Sequence, residues 1–529
     1  MKILISLVLT ALVSPLLAAG WGIAPDGTSW NGWSPWFMYA PTLTFKAADG
    51  VNAYHSEVMD DYHRIFCVTT EQSVVDLDCL WSRLPVGYVT VVCRGVRDDG
   101  SSVETGRRTF WKKPAFSGCY EPAAMSYSLA KARILDNFLG LPRTRHMIAT
   151  GEIDKSYYLS GYPTKMLAAE IDGLVEAYKG LDDNPNNDGR KSELLAFCRK
   201  AADCLIAGSV PAGKVLEYFP ITYAAEGSEY GRFKGQQDWI MLVYPPQAAS
   251  AYLRLYGVTK ELKYLEAAER IGRTLLKTQG SDGTWPLRQN AITGEVVGKN
   301  RLLPFETMQM LEDLYVATEK KPYREAADRA FAYVEKGPAR NWAWEGQFED
   351  GRVIDDPYEN LSNFPANQMI MYLLRRFPGD AVRIAQAEEL MAFVEDQFIH
   401  WRPPYEGNRH LEDQGVDDGS WAWWCRPYSR WMSPCAVEQY ICCVPVDASA
   451  AKCINALLAV WWMTGKNVYL AKARALGDAQ TRMIEKDGFI NTWSIRNVER
   501  NDDRYHTWDN CTVETMTALS RLAKAVDGE

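Results

Sequence analysis

The sequence predicts a mainly α-helical protein, in which a small N-terminal β-sandwich precedes a closed ring of helical hairpins. Short β-rich segments separated by turn residues occupy the chain up to about residue 117, and helical periodicity follows from about residue 118. Many of the predicted helices are joined by tight connections, such as YGVTKE (256–261) and MTGKN (463–467), which make neighbouring helices antiparallel. A weak internal repeat supports a ring of such pairs.

The first nineteen residues have the composition of a secretory signal peptide. Lys2 supplies a positive charge, residues 3–17 are mostly apolar, and the small residues Ala18 and Ala19 suit cleavage. The apolar run is too short for a membrane-spanning helix. We therefore expect an exported protein, periplasmic or secreted, with no membrane insertion.

Residues 20–117 are predicted to form a small β-sandwich domain. The runs APTLTFKA, HRIFCVTT, YVTVVCRGV and TGRRTFWKK read as strands, and the sequences DG, LPVG and RDDGSS between them read as turns. The run WSRLPVGYVTVVCRGVRDDGS resembles a fibronectin type III-like module. That resemblance is to an architecture and implies no function.

Residues 118–529 are predicted to form the ring of hairpins. About twelve segments have helical periodicity. The predicted helices span residues 121–140, 164–180, 190–208, 240–257, 260–279, 303–319, 322–336, 361–377, 381–398, 447–465, 467–485 and 512–526.

Three of these helices share a repeat in which a tyrosine near the helix start is followed by a tryptophan in the next loop. The first two tyrosines are 59 residues apart, about one hairpin with its loops, which indicates a solenoid or a closed ring. A ring fits better because the loops differ greatly and one insertion, residues 400–434, is long. The repeated pairs are Tyr264 with Trp285, Tyr323 with Trp342, and Tyr469 with Trp493.

Apolar character alternates between helices as a ring requires. DASAAKCINALLAVWWMTG is apolar on most sides, as expected of an inner helix, whereas YLEAAERIGRTLLK has one apolar stripe, as expected of an outer helix. Together with the DGTWP-like loop after an outer helix, this pattern resembles the (α/α) toroid of six or seven hairpins found in six-hairpin glycosidases and many uronate polysaccharide lyases. The resemblance covers residues 118–529 and implies that loops at one end of the ring form a saccharide-binding cleft.

Composition argues against several other functions. The net charge of −9 and the absence of a basic stripe argue against nucleic-acid binding. The twelve cysteines include no CxxC pair, and no His/Cys pattern has zinc spacing. We therefore expect no metal and no cofactor, with a polysaccharide or oligosaccharide as partner. The sequence leaves the oligomeric state open.

The loops predicted to line the cleft combine aromatic and polar side chains, because flat rings stack on sugars while polar groups bind hydroxyls. One such loop is NWAWEGQFEDGRVIDDPYEN (341–360). The alternative is that the loop tryptophans only pack the loops against the ring. The residues predicted to contact substrate are Arg232, Lys234, Gln237, Asp238, Trp285, Trp344, Glu345, Arg409, Glu438 and Trp508.

The favoured reaction is β-elimination from a uronate. Related toroid lyases use Asn or Gln, His or Tyr, and Arg to neutralise the carboxylate, remove the C5 proton and protonate the leaving oxygen. No motif of that family assigns these roles to individual residues here, and by residue type and loop position we expect Tyr358, Asn360, His410 and His506 to be catalytic. Asn360 is alternatively the N-cap of the following helix.

Two other functions remain open at the sequence level. A six-hairpin glycoside hydrolase would act through two carboxyl groups among Asp238, Glu345, Glu359 and Glu438. A non-catalytic glycan-binding protein would use the same aromatic and polar loops without chemistry.

Overall fold

A computed structural model of the 529-residue chain defines the fold. The predicted signal peptide lies outside the residues that it describes. The described residues are 30–34, 36–118, 120–182, 187–224, 235–348, 361–402, 435–440, 445–494 and 507–527.

Within these ranges, the helical part is a ring of six hairpins. Neighbouring helices alternate between an inner and an outer layer. The inner helices are α5 (Pro163–Lys179), α7 (Tyr244–Thr259), α9 (Phe305–Thr318), α12 (Asn363–Arg376), α14 (Asp447–Thr464) and α16 (Asp509–Asp527). The outer helices are α3 (Tyr127–Gly140), α6 (Asp188–Ala207), α8 (Leu262–Thr278), α10 (Lys321–Lys336), α13 (Ala381–Phe398) and α15 (Asn467–Thr481). The remaining described helices are short: α1 (Trp30–Trp33), α2 (Asp78–Trp81), α4 (Pro142–Thr150) and α11 (Pro338–Asn341).

The inner layer closes on itself. Each inner helix contacts the next one along the chain, and α16 completes the circle by packing between α14 and α5. The outer helix α3 packs against the inner helix α16, so this hairpin pairs the first helix of the ring with the last one. Because the joints between paired helices are short, the pairs are antiparallel, and the inner helices point their N-terminal ends to one side of the ring.

The twelve predicted ring helices are confirmed, with boundaries that shift by a few residues. The largest difference is at the first helix, which begins at Tyr127 with Ser126 as its N-cap, the Ser126 side chain accepting from the Leu129 N–H at 3.2 Å. Helix α4, which follows at Pro142, was not predicted. Among the cysteines of the ring helices, Cys198 and Cys453 are buried as small apolar side chains, and Cys204 is half-buried.

The repeat proves to be a packing motif. Its tyrosine is the third residue of the outer helices α8, α10 and α15. The repeated tryptophan then folds back beneath its loop: Trp285 donates its Nε1–H to the Leu275 carbonyl at 3.1 Å and has no exposed surface. Trp342 and Trp493 are buried as well.

The N-terminal segment forms a five-stranded sheet in the order β1-β7-β6-β3-β4, and a two-stranded ribbon of β2 and β5. Side chains alternate in burial along β3, as expected for a sheet with one covered face. The β-sandwich itself and the boundary at residue 117 remain predictions. The strands are β1 (Trp36–Phe37), β2 (Thr42–Thr44), β3 (Ala53–Asp60), β4 (Ile65–Thr70), β5 (Val74–Asp76), β6 (Gly87–Val96) and β7 (Ser102–Lys112).

Short strands also connect the ring helices. They form a three-stranded sheet in the order β10-β9-β8 and a pair of β11 with β12. Their bounds are β8 (Trp239–Met241), β9 (Pro286–Asn290), β10 (Val296–Arg301), β11 (Ile399–His400) and β12 (Ala436–Val437).

The N-terminal segment is fastened to the ring by buried polar contacts at the end of α13. Asp396 accepts hydrogen bonds from the Trp30 Nε1–H at 2.9 Å and from the backbone N–H groups of Met38 and Tyr39 at 2.7 and 3.1 Å. Beside it, Glu395 pairs with Lys472 of α15 at 2.7 Å. Burial raises the pKa of Asp396 to about 7, against the effect of these donors.

We predict that Gly173→Ala loosens ring closure. A Cβ added at Gly173 on α5 would lie 2.7 Å from the Val513 Cβ on α16, so the two helices would have to separate. The free energy of unfolding should fall by about 1–3 kcal/mol. In the control Gly257→Ala, the added Cβ meets nothing within 4 Å on helix α7, and stability should rise slightly. Equal stabilities of the two variants in denaturant unfolding would contradict the close packing.

We predict that Asp396→Asn weakens the junction between the N-terminal sheet and the ring. The amide N–H₂ would face the Trp30 Nε1–H donor, so that hydrogen bond is lost in a buried site. We expect the free energy of unfolding to fall by about 1–3 kcal/mol. The exposed substitution Asp49→Asn serves as the control, and an Asp396→Asn variant that unfolds at the same denaturant concentration as this control would refute the role.

Candidate functional site

A pocket of about 540 Å³ runs along the axis of the ring. All six inner helices contribute side chains to it from their first turns onward. Its volume lies in the range that suits a small ligand or a few sugar units. A second pocket among the described residues, lined in part by Arg143, Glu170 and Asp509, has a volume of about 40 Å³.

Glu306 is the most perturbed acid that faces this pocket. It lies in the first turn of α9, where its two carboxyl oxygens accept from Gln247 Nε2 at 2.5 Å and Gln368 Nε2 at 2.6 Å. Burial raises the pKa of Glu306 to about 7, although the two amides and Lys452 favour the charged form. Glu306 therefore holds a proton near neutral pH and has room to deliver it into the pocket.

A second carboxyl group has the opposite electrostatic setting. Glu514 on α16 pairs with Lys452 of α14 at 3.2 Å and accepts from Asn455 Nδ2 at 3.4 Å. Burial pushes the pKa of Glu514 up, but Lys452, Arg521 and Arg254 outweigh it, and the pKa ends below its ordinary value. The pocket thus contains one carboxyl group whose pKa is raised and another whose pKa is lowered.

Glu345 joins the pocket from the loop after α11. Its carboxylate accepts from Asn300 Nδ2 at 2.7 Å and from Gln347 Nε2 at 3.2 Å. Burial raises the pKa of Glu345 against these two donors. Glu345 is the predicted substrate-binding residue that lines the pocket wall.

Cations outnumber carboxyl groups in the pocket wall. Arg254 of α7 forms an ion pair with Asp172 of α5 at 2.6 Å, and this contact raises the pKa of the arginine. Since five cations face four carboxyl groups, and Glu306 is only partly ionised near pH 7, the wall carries a net positive charge in a chain that is acidic overall. The charged lining residues are Lys165, Arg254, Arg375, Lys452 and Arg521, with Asp172, Glu306, Glu345 and Glu514.

Trp508 lies beside the pocket, and its ring is partly exposed. The Lys165 ammonium, which lines the pocket, lies 5.6 Å from the Trp508 ring centroid. Trp508 lies just before α16, and its backbone N–H donates to Thr492 Oγ1 at 2.9 Å. Its placement is compatible with the predicted stacking on a sugar.

Three predicted substrate contacts do not fit their positions. Trp285 and Trp344 have no exposed surface, because each packs beneath its own loop. A stacking role for these two rings is therefore corrected to packing. Glu438 is also fully buried: it lies 3.3 Å from His400 Nε2 and does not line the pocket.

Gln237 and Asp238 precede strand β8 and do not line the pocket either. The Asp238 side chain is exposed, and its carbonyl accepts from the Ala291 N–H at 2.7 Å, a contact that fixes the β8–β9 connection. Their predicted contact with substrate stays a prediction.

The remaining predictions fall outside the described residues. These include every residue proposed for β-elimination. They are Tyr358, Asn360, His410 and His506, the substrate contacts Arg232, Lys234 and Arg409, and the candidate acid Glu359. One alternative is corrected: the helix after Asn360 begins at Asn363, and its N-cap is Ser362, whose side chain accepts from the Phe364 N–H at 3.3 Å.

The sequence analysis missed Glu306, Lys452 and Glu514. The signal was present, since Lys452 interrupts the apolar helix DASAAKCINALLAVWWMTG, and Glu306 starts another inner helix in LLPFETMQM. An isolated charge in a helix that is apolar on most sides must find a partner or a cavity. The aromatic and polar composition of the loops predicted a site built from loops, whereas these three residues lie on helices.

Neither a membrane-spanning helix nor a cluster of metal ligands occurs in the part of the chain that the structure describes. No helix there is long and apolar enough to cross a membrane. No group of three or more His, Cys, Asp or Glu side chains there is arranged to hold a metal ion.

Comparisons with known proteins bear on the fold. The sequence matches no protein-family model and no curated protein. The structure is similar to that of a D-mannose isomerase, with a TM-score of 0.50 and 12% identity over 76% of this chain and 98% of that chain.

Two glycoside hydrolase structures also match. One is a family 76 glycoside hydrolase from a bovine Bacteroides thetaiotaomicron strain, with 9% identity, coverage of 92% and 94%, and a TM-score of 0.49. The other is a family 76 α-mannanase from Bacteroides thetaiotaomicron, with 13% identity, coverage of 77% and 98%, and a TM-score of 0.49. The similarity to the D-mannose isomerase concerns the fold alone, and the contacts of the inner and outer helices make the fold of this chain an (α/α) toroid of six hairpins.

Proposed function

We propose that this protein is an exported enzyme that cleaves a uronate-containing glycan in the axial pocket. The observation that supports it best is the pair of acids with opposed environments, Glu306 and Glu514, facing one cavity. Pairs of carboxyl groups whose pKa values are pushed apart are the usual basis of glycosidic-bond hydrolysis.

In the proposed reaction, Glu306 is the general acid. Its proton passes to the glycosidic oxygen as the bond from that oxygen to the anomeric carbon breaks. The Glu514 carboxylate either takes a proton from the attacking water or attacks the anomeric carbon itself. Gln247 and Gln368 orient the Glu306 carboxyl group, and Lys452 keeps Glu514 ionised.

The charge of the pocket supports an acidic sugar as substrate. The excess of cations in the wall attracts a carboxylate, and the N-terminal ends of the parallel inner helices add positive potential at their end of the ring. Helices surround the pocket on all sides, so a chain end enters it more readily than the middle of a polymer. We propose action at chain ends.

β-Elimination is the second candidate, and it is the reaction that the resemblance to toroid lyases favours. A pocket with excess positive charge neutralises the uronate carboxylate, which acidifies the C5 proton. The base and acid would come from Tyr358, Asn360, His410 or His506. A non-catalytic glycan-binding protein has less support, because binding alone does not require a carboxyl group held protonated at neutral pH.

Export and domain organisation complete the proposal. The signal-peptide composition of residues 1–19 supports a periplasmic or secreted location. The five-stranded N-terminal sheet has one covered face, which supports a β-sandwich over residues 20–117, ahead of the toroid at 118–529.

We predict that Glu306→Gln abolishes hydrolysis, lowering kcat by about 10²-fold or more, because the amide has no proton to donate. In the unaltered protein, activity should fall as pH rises through about 7, where Glu306 loses its proton. The exposed Glu71→Gln is the control. Full activity of Glu306→Gln on oligouronates would exclude this carboxyl group as the acid.

The same residue predicts a pH dependence of stability. The folded state holds the Glu306 proton up to about pH 7, whereas the unfolded carboxyl group releases it near its ordinary pKa of 4.5. The free energy of unfolding should therefore decline between these pH values, and less so in Glu306→Gln. Denaturant unfolding at pH 5, 6, 7 and 8 measures the difference between the two proteins, and equal slopes would contradict the raised pKa.

We predict that incubation with alginate, glucuronan or pectate produces new reducing ends without absorbance near 230 nm. That wavelength is where the conjugated unsaturated uronate left by elimination absorbs. Rising absorbance would reject hydrolysis in favour of elimination, and His410→Ala should then abolish it. Binding with neither product would leave only the glycan-binding function.

A further inference from the structure

The wall of the axial pocket contains an arginine that forms no ion pair with a described residue. Arg521 lies on α16 and lines the pocket. Within the described residues it makes no hydrogen bond and no ion pair within 4.0 Å, although Asp172 and Glu514 are near enough to affect it electrostatically. A guanidinium that lines a cavity gains from an anionic partner.

The neighbouring charges are already committed. Arg254 pairs with Asp172 at 2.6 Å, and Lys452 pairs with Glu514 at 3.2 Å. Arg375 pairs with Asp313. Of the other two lining cations, Lys165 lies 5.6 Å from the Trp508 ring centroid, and Arg521 forms no ion pair with a described residue.

We propose that Arg521 forms a carboxylate-binding subsite at the inner end of the pocket and selects for an acidic sugar. This inference rests on the proposed function and specifies which residue reads the acid group. The planar guanidinium presents two parallel N–H donors that match both oxygens of a carboxylate. Asp172 and Glu514 are near enough to act on the guanidinium electrostatically, and each already pairs with its own cation.

The position of Arg521 relative to Glu514 determines which sugar of the substrate it would contact. Glu514, Thr517 and Arg521 line the pocket from one face of α16, at spacings of three and four residues. Arg521 is seven residues beyond Glu514, about 10 Å further along the helix axis. That distance exceeds one sugar ring, so the carboxylate bound by Arg521 belongs to a sugar beyond the one at the cleaved bond.

Isothermal titration calorimetry with D-glucuronate and D-glucose tests the subsite without turnover, because monosaccharides contain no bond to cleave. We expect the unaltered protein to bind glucuronate at least tenfold more tightly than glucose. Arg521→Gln should lose that preference, and Arg521→Lys should keep part of it, since it retains the charge but not the paired donors. Circular dichroism checks that both variants are folded.

Arg107→Gln is the matched control, since it removes one positive charge from an exposed site on β7 and should preserve the preference. Inorganic sulfate serves as a competitor: weak competition supports a carboxylate site, and displacement of glucuronate at equal concentration assigns the site to sulfate esters instead, which overturns the proposal. A preference retained in Arg521→Gln, or absent from the unaltered protein, also overturns it. Cleavage of oligouronates by Arg521→Gln with unchanged selectivity would refute the subsite while leaving the proposed function in place.

Discussion

Contact between the first and last inner helices is the constraint on which the rest of the structure depends. Helix α16 packs against α5, and the missing side chain at Gly173 lets Val513 approach closely. The two segments are more than 300 residues apart, so only the completed ring brings them together. Without that closure the axial pocket would have five walls and lose Glu514 and Arg521.

Closure also explains how charged residues are tolerated on helices that are otherwise apolar. On the axial face, Arg254 of α7 meets Asp172 of α5 and Lys452 of α14 meets Glu514 of α16, whereas Arg521 has no such partner among the described residues. Such pairs are costly to bury unless their geometry is good. Here the pocket remains open to solvent, which lowers that cost and leaves the charges accessible to a ligand. The arrangement therefore combines stability with a polar binding site.

The helices were predictable because their signal is local. Period and tight joints placed α13 at residues 381–398, the same bounds that the structure has. The pairing of inner and outer layers followed from apolar character and the repeat at Tyr264 and Tyr323. Strand β3 was missed, since its sequence AYHSEVMD carries polar residues on the buried face as well as the exposed one.

The site was less predictable because it depends on which way a side chain faces. Glu345 was found from its loop, but Trp285 and Trp344 were assigned to a sugar surface when their rings are buried. A tryptophan in a loop has the same sequence signal whether it stacks on a ligand or packs beneath the chain. Glu306 and Glu514 become recognisable only when six separate helices are placed around one axis.

The proposed reaction therefore depends on a single titration, the protonation of Glu306 inside the closed ring. Infrared difference spectra between the unaltered protein and Glu306→Gln, recorded from pH 5 to pH 9, would isolate the stretching band of that carboxyl group. We expect the band of the protonated carboxyl group to disappear as the pH rises, with a midpoint near pH 7. A carboxylate band already complete at pH 5.5 would contradict it.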